Sequence, residues 1–108
     1  MAEMYQKAIR VNASIDEAER VCKKICTDFK MDIKESRSWN GTFFIAAAEK
    51  TNWLSTNWPT KIEIRGNMHD DKLIINVTSS SSMWSLTQAN ANARKLDGIV
   101  ESIRAYLE

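Results

Sequence analysis

Glycine, proline, cysteine and histidine are all scarce in this chain. Its 108 residues hold three glycines, one proline, two cysteines and one histidine. With so little glycine there is no glycine-rich loop to cradle a phosphate and no nucleophile elbow. A single histidine, His69, beside Cys22 and Cys26 falls short of the ligands a metal needs, so neither metal nor cofactor is expected. The two cysteines are four apart in a predicted helix, a spacing that does not suit a disulfide, and reduced thiols packed on or beside the core are expected. Charge of one sign is missing as well. Fifteen bases offset fourteen acids, and a net charge of +1 argues against a basic nucleic-acid binder and a polybasic membrane anchor. The opening MAEMYQKAIRV lacks the apolar core of a signal peptide, and no apolar run approaches ~18 residues. A cytoplasmic location, no membrane partner and no nucleic-acid partner follow as expectations.

What is present is patterned. A chain of 12.3 kDa suits one domain over residues 1–108 with a single core. Residues 5–12 read as a first strand. Ser14 and Glu17 then form a capping box, and Ile15, Ala18, Cys22, Ile25 and Phe29 follow at helical spacing. From Met31 the period becomes two. Asn40-Gly41 favours a type I′ turn, because both residues tolerate positive φ. A turn there sets Arg37 opposite Phe44, Glu35 opposite Ala46 and Ile33 opposite Ala48. Lys61–Arg65 alternates as a fourth strand, Gly66 to Asp71 reads as a turn-rich connection, and Leu73–Thr78 makes a fifth strand. Ser85 and Gln88 form a second capping box. Leu86, Ala89, Ala93, Leu96, Val100, Ile103 and Leu107 then mark one face of a long last helix. The order is β-α-β-β-β-β-α, an α+β fold with two helices packed on one face of an antiparallel sheet.

Three features invite a functional reading. Trp39, Trp53, Trp58 and Trp84 fall at element ends, where they either line the mouth of a ligand cavity or close the ends of a small core. On the hairpin, Glu35 and Arg37 share a face with Met31, Ile33, Trp39, Phe44, Ala46 and Ala48. If that face meets the helices, the two charges are a paired couple or a ligand contact; a bulge or a slip in register turns them outward instead. On the last helix the back carries Ala91, Gly98, Ser102 and Ala105, small residues that let a partner helix approach. Phe43 and Ile45, on the other face of the hairpin from Phe44, offer a second surface for a neighbouring chain.

No constellation for catalysis stands out, and His69 beside Asp70 and Asp71 reads as solvated turn chemistry. The expectation is a non-catalytic domain acting by self-association or by binding a protein partner. The alternative is a carrier of a small apolar ligand. Met31–Lys50, Lys61–Arg65, Leu73–Thr78 and Ser85–Leu107 together resemble the helix-grip arrangement of Bet v 1 and START-like proteins, a sheet closed by a long C-terminal helix. The resemblance implies a ligand held between sheet and helix, with no motif that assigns individual residues.

Overall fold

A computed structural model describes residues 4–49, 60–80 and 86–107. The elements are β1 (Met4–Val11), α1 (Ile15–Asp28), β2 (Met31–Trp39), β3 (Thr42–Glu49), β4 (Lys61–His69), β5 (Lys72–Ser80) and α2 (Leu86–Leu107). All five strands pair antiparallel in the order β1-β5-β4-β3-β2. Consecutive strands from β2 to β5 are hairpin neighbours. Helix α1 instead carries the chain from one edge of the sheet, β1, to the other, β2.

Local chemistry accounts for the boundaries. Ser14 caps α1, its Oγ accepting the Glu17 amide at 3.1 Å. Asn40 and Gly41 take φ of 41° and 75°, the pair of positive values a type I′ turn requires. The β4–β5 turn is tighter than the sequence suggests. Gly66, Asn67, Met68 and His69 continue β4, leaving Asp70 and Asp71 as the turn, with Asp70 at φ 56°. Gly66 is therefore a glycine inside a strand, not a turn marker. Its bare Cα leaves room for the Phe43 ring, whose Cε1 would lie 2.1 Å from a Cβ built at Gly66.

One sheet face carries the core. Ile9 and Val11 of β1, Phe43, Ile45 and Ala47 of β3, Ile62 and Ile64 of β4, and Leu73, Ile75 and Val77 of β5 are buried there. Helix α1 covers β2, β3 and β4 with Ala18, Cys22, Ile25 and Cys26. Helix α2 lies on β1 and β5 and against α1, and buries Leu96, Ile99, Val100, Ile103 and Leu107. The expected heptad face of α2 is thus buried from Leu96 onward, with Ile99 added beside it; the side chains of Leu86 and Ala89 lie outside the described ones. Glu19 of α1 accepts a hydrogen bond from Ser36 of β2, and an exposed Lys7–Asp97 pair ties β1 to α2. Among the described residues, no buried side-chain nitrogen or oxygen lacks a partner.

The hairpin faces correct the sequence reading. Arg37 opposes Phe44 and Glu35 opposes Ala46, as expected, but Ile33 opposes Ala47 because the register shifts between Ile33 and Glu35. This bulge places Met31 and Ile33 on the helix side and Glu35, Arg37 and Trp39 on the other. Phe43 and Ile45 are correspondingly core residues with no exposed surface. They cannot form the interface proposed for them, because α1 already covers their face. The uncovered set is Phe44, Ala46 and Ala48, each half-buried on the outer face.

Candidate functional site

The outer face of the sheet meets no helix among the described residues, and its side chains are set by strand register. Arg37 (β2), Phe44 (β3) and Arg65 (β4) form one cross-strand row. The Arg65 and Arg37 guanidinium carbons lie 5.0 and 5.8 Å from the centre of the Phe44 ring, on its two flanks. Arg37 also lies 5.7 Å from the Trp39 ring. Such stacking orders two long cationic side chains at modest gain, about 0.5–1 kcal/mol each at exposed sites. Beneath the row, Glu35 meets Arg37 at 2.6 Å and Glu63 meets Arg65 at 3.7 Å. These pairs are exposed and contribute little to stability, on the order of 0.2–1 kcal/mol. Above it, Thr42 donates a hydrogen bond to Asn67 at 2.9 Å. Arg37, Trp39, Thr42, Phe44, Arg65 and Asn67 line an open hollow of about 460 Å³. Trp39 is 49% exposed, unusual for a tryptophan on a strand.

The other sequence candidates separate. Trp53, Trp58 and Trp84 lie outside the described residues; Trp39, which is described, joins Glu35 and Arg37. Ala91 and Gly98 lie in α2. Gly98 was expected to admit a partner helix, but its neighbour is Phe29 of the same chain. A Cβ at Gly98 would lie 2.9 Å from Cε2 and 3.1 Å from Cζ of that ring. The missing side chain thus accommodates the C-cap residue of α1. Ser102 is half-buried, and Ala105 is exposed next to Tyr106. Phe44, Arg65, Thr42 and Asn67 were missed as site residues. The KIEIR alternation marked Arg65 as solvent-facing, but only the β3–β4 register brings it to Phe44.

Two further polar groups sit elsewhere. Glu49, at the end of β3, accepts the Thr60 amide at 3.0 Å and the Lys95 ammonium of α2 at 2.9 Å. Partial burial raises its pKa, but the hydrogen bonds from Lys95 and Thr60 outweigh this and hold the carboxyl below its ordinary 4.5. A depressed carboxylate pKa adds stability that is present above about pH 4.5 and lost as pH falls through the lower folded value. An NMR titration should show Glu49 below its ordinary value, and Lys95→Met should return it upward and flatten stability over that acid range.

Cys22 and Cys26 are free and buried. Burial pushes the Cys26 thiol up to about 11 and Cys22 higher still, with Cys26 and Glu19 adding to the rise at Cys22. Both stay protonated at neutral pH and are poor nucleophiles. Alkylation of the native protein should be slow and should track unfolding, so a thiol labelled as fast as in the denatured chain would contradict this burial. His69 is exposed, 3.9 Å from Asp70. No group of three or more His, Cys, Asp or Glu gathers to hold a metal among the described residues, and no helix there is long and apolar enough to cross a membrane.

No protein-family model matches the sequence. No curated protein matches it either. Solved structures do match, over nearly the whole chain. Ara h 8.0201 superposes with a TM-score of 0.54 at 7% identity, covering 98% of this chain and 97% of that one. CalU16 from Micromonospora echinospora gives 0.54 at 12% identity, covering 94% of this chain and 76% of its own. The vertebrate conserved region of human METTL16 gives 0.58 at 11% identity, covering 94% and 98%. The fold is the helix-grip fold of the Bet v 1-like proteins, as the arrangement of hairpins and last helix suggested. At these identities the likeness concerns architecture alone.

Proposed function

We propose that this chain is a non-catalytic, cytoplasmic binding domain that recognises protein through the open outer face of its sheet. The observation that carries this reading is the patch of Trp39, Arg37, Phe44 and Arg65 on a face no described helix covers. Tryptophan and arginine are the side chains most enriched where protein interfaces concentrate their binding energy. Stacking preorganises the two guanidinium groups, which lowers the entropy lost on binding. The charges of Glu35, Arg37, Glu63 and Arg65 cancel, which favours a protein surface over a nucleic acid or an anionic membrane.

A second reading, carriage of a small apolar ligand between the sheet and α2, draws its support from the helix-grip fold. The two differ in what travels with the protein. Under the interaction reading, native mass spectrometry of gently purified protein should show added polypeptide mass and no small molecule. A Trp39→Ala/Phe44→Ala double variant should lose that mass while keeping its circular dichroism spectrum. A monomer carrying a few hundred daltons, lost on denaturation, would overturn the interaction reading in favour of the carrier.

A further inference from the structure

The outer face is arranged in cross-strand rows, and the charge inverts between the two middle ones. Across β2, β3 and β4 the register gives Asp32–Ala48–Lys61, then Glu35–Ala46–Glu63, then Arg37–Phe44–Arg65, then Trp39–Thr42–Asn67. The second row is an acidic pair astride alanine, and the third is a basic pair astride phenylalanine. Equivalent members match in exposure: Glu35 and Glu63 are 44% and 45% exposed, and Arg37 and Arg65 are both 64%. Lys34, the bulged residue, borders a second hollow of about 300 Å³ floored by Ala46 and Ala48, with Lys61 and Glu63 opposite.

We infer that the partner of this face is a second copy of the chain, packed sheet against sheet. The inference rests on the outer face being the binding surface, and it adds the occupant and its register. Consider a two-fold axis in the sheet plane, across the strands, passing between the second and third rows. It lays the second row of one copy over the third row of the other. Glu35 then faces Arg37 of the second copy and Glu63 faces Arg65, each pair occurring twice by symmetry. Phe44 meets Ala46 of the other copy, large against small, as sheets roughly 10 Å apart need in order to interdigitate. The fourth row falls on the first, bringing Trp39 over Asp32, with Lys34 4.0 Å from that carboxylate, and Asn67 over Lys61.

Two alternative axes oppose like charges. An axis along β3 would oppose Glu35 to Glu63 and Arg37 to Arg65. An axis through the second row would oppose Glu35 to itself. Like charges in apposition cost several kcal/mol, which disfavours both. The axis between the second and third rows instead sets all four of these charges against unlike ones. Five strands at ~4.8 Å and eight residues at ~3.3 Å give a face of roughly 24 × 26 Å, close to the ~800 Å² per partner of an ordinary stable interface once side-chain relief is included.

Sedimentation equilibrium of the full chain tests this directly. The wild type should show a monomer–dimer equilibrium in the micromolar range. Glu63→Arg places arginine against Arg65 of the other copy at two symmetric points and should weaken dimerisation roughly 100-fold or more. The swap Glu63→Arg/Arg65→Glu restores unlike charges across the axis and should recover the dimer. All four side chains are exposed, so circular dichroism should stay unchanged throughout. A wild type that stays monomeric at high micromolar concentration overturns the second-copy inference. If it still takes up another polypeptide through Trp39 and Phe44, the outer-face reading stands without it. A dimer indifferent to Glu63→Arg overturns both, and a swap that fails to recover overturns the register.

Discussion

Gly66→Ala lowers the stability of the domain by about 3 kcal/mol, the upper end of what overpacking a well-filled core costs. The added Cβ would lie 2.1, 2.6 and 2.7 Å from Cε1, Cδ1 and Cζ of Phe43, where real Cβ contacts do not occur. The Phe43 ring has no exposed surface, and Ile45 and Ile75 beside it are equally buried, so it has nowhere to swing. For a chain of this size the thermal midpoint should fall by about 10–20 °C. Shrinking the ring should relieve the clash, so Phe43→Leu in the Gly66→Ala background should cost less than it does alone. A double-mutant cycle should give a coupling of about 1–3 kcal/mol. A loss below about 0.5 kcal/mol for Gly66→Ala would contradict the ring-over-glycine packing.

Ile64→Ala should cost as much by the opposite route. Ile64 is at the middle of the central strand, with Ile45 and Val77 as its cross-strand neighbours, and all three are fully buried. Removing three carbons leaves a cavity that flanking strands cannot collapse into, and such truncations cost about 2–5 kcal/mol. The next residue provides the control. Arg65 points to the opposite face with a 64% exposed side chain, and Arg65→Ala should change stability by about 0.5 kcal/mol or less. Urea denaturation of both variants would compare the two faces of one strand. Comparable losses at both positions would mean the outer face is covered in the isolated chain.

The elements written in local chemistry were legible from the sequence. The Ser14 cap, the Asn40-Gly41 turn and the α2 heptads from Leu96 onward each depend on residues within a few positions of one another, and each forms as expected. What failed depends on neighbours distant in sequence. β3 is apolar on both faces, with Phe43, Ile45 and Ala47 alternating with Phe44, Ala46 and Ala48, so a period of two cannot say which set meets the helices. The bulge between Ile33 and Glu35, one of the alternatives the sequence left open, puts Met31 and Ile33 with the core set of β3 and turns Glu35 and Arg37 outward. No residue of MDIKES fixes its place. Gly66 looks like a turn residue until Phe43 is known to lie over it. Gly98 looks like a docking point until Phe29 is known to fill it. Strand order follows from α1 crossing the whole sheet, a long-range choice that no short segment encodes. Of the candidate site, Trp39, Glu35 and Arg37 were visible as an oddity. Their partners Phe44 and Arg65 required the register of a third strand.

Radical footprinting at low and high protein concentration tests most directly whether the sheet, and not the helix layer, is the binding surface. Trp39 reports the outer face, and Tyr106, 56% exposed beside Lys24 on the helix side, reports the other. Labelling of Trp39 should fall several-fold as concentration rises, while that of Tyr106 stays constant. Protection of Tyr106 with Trp39 unchanged would contradict the account and move the interface to the helices.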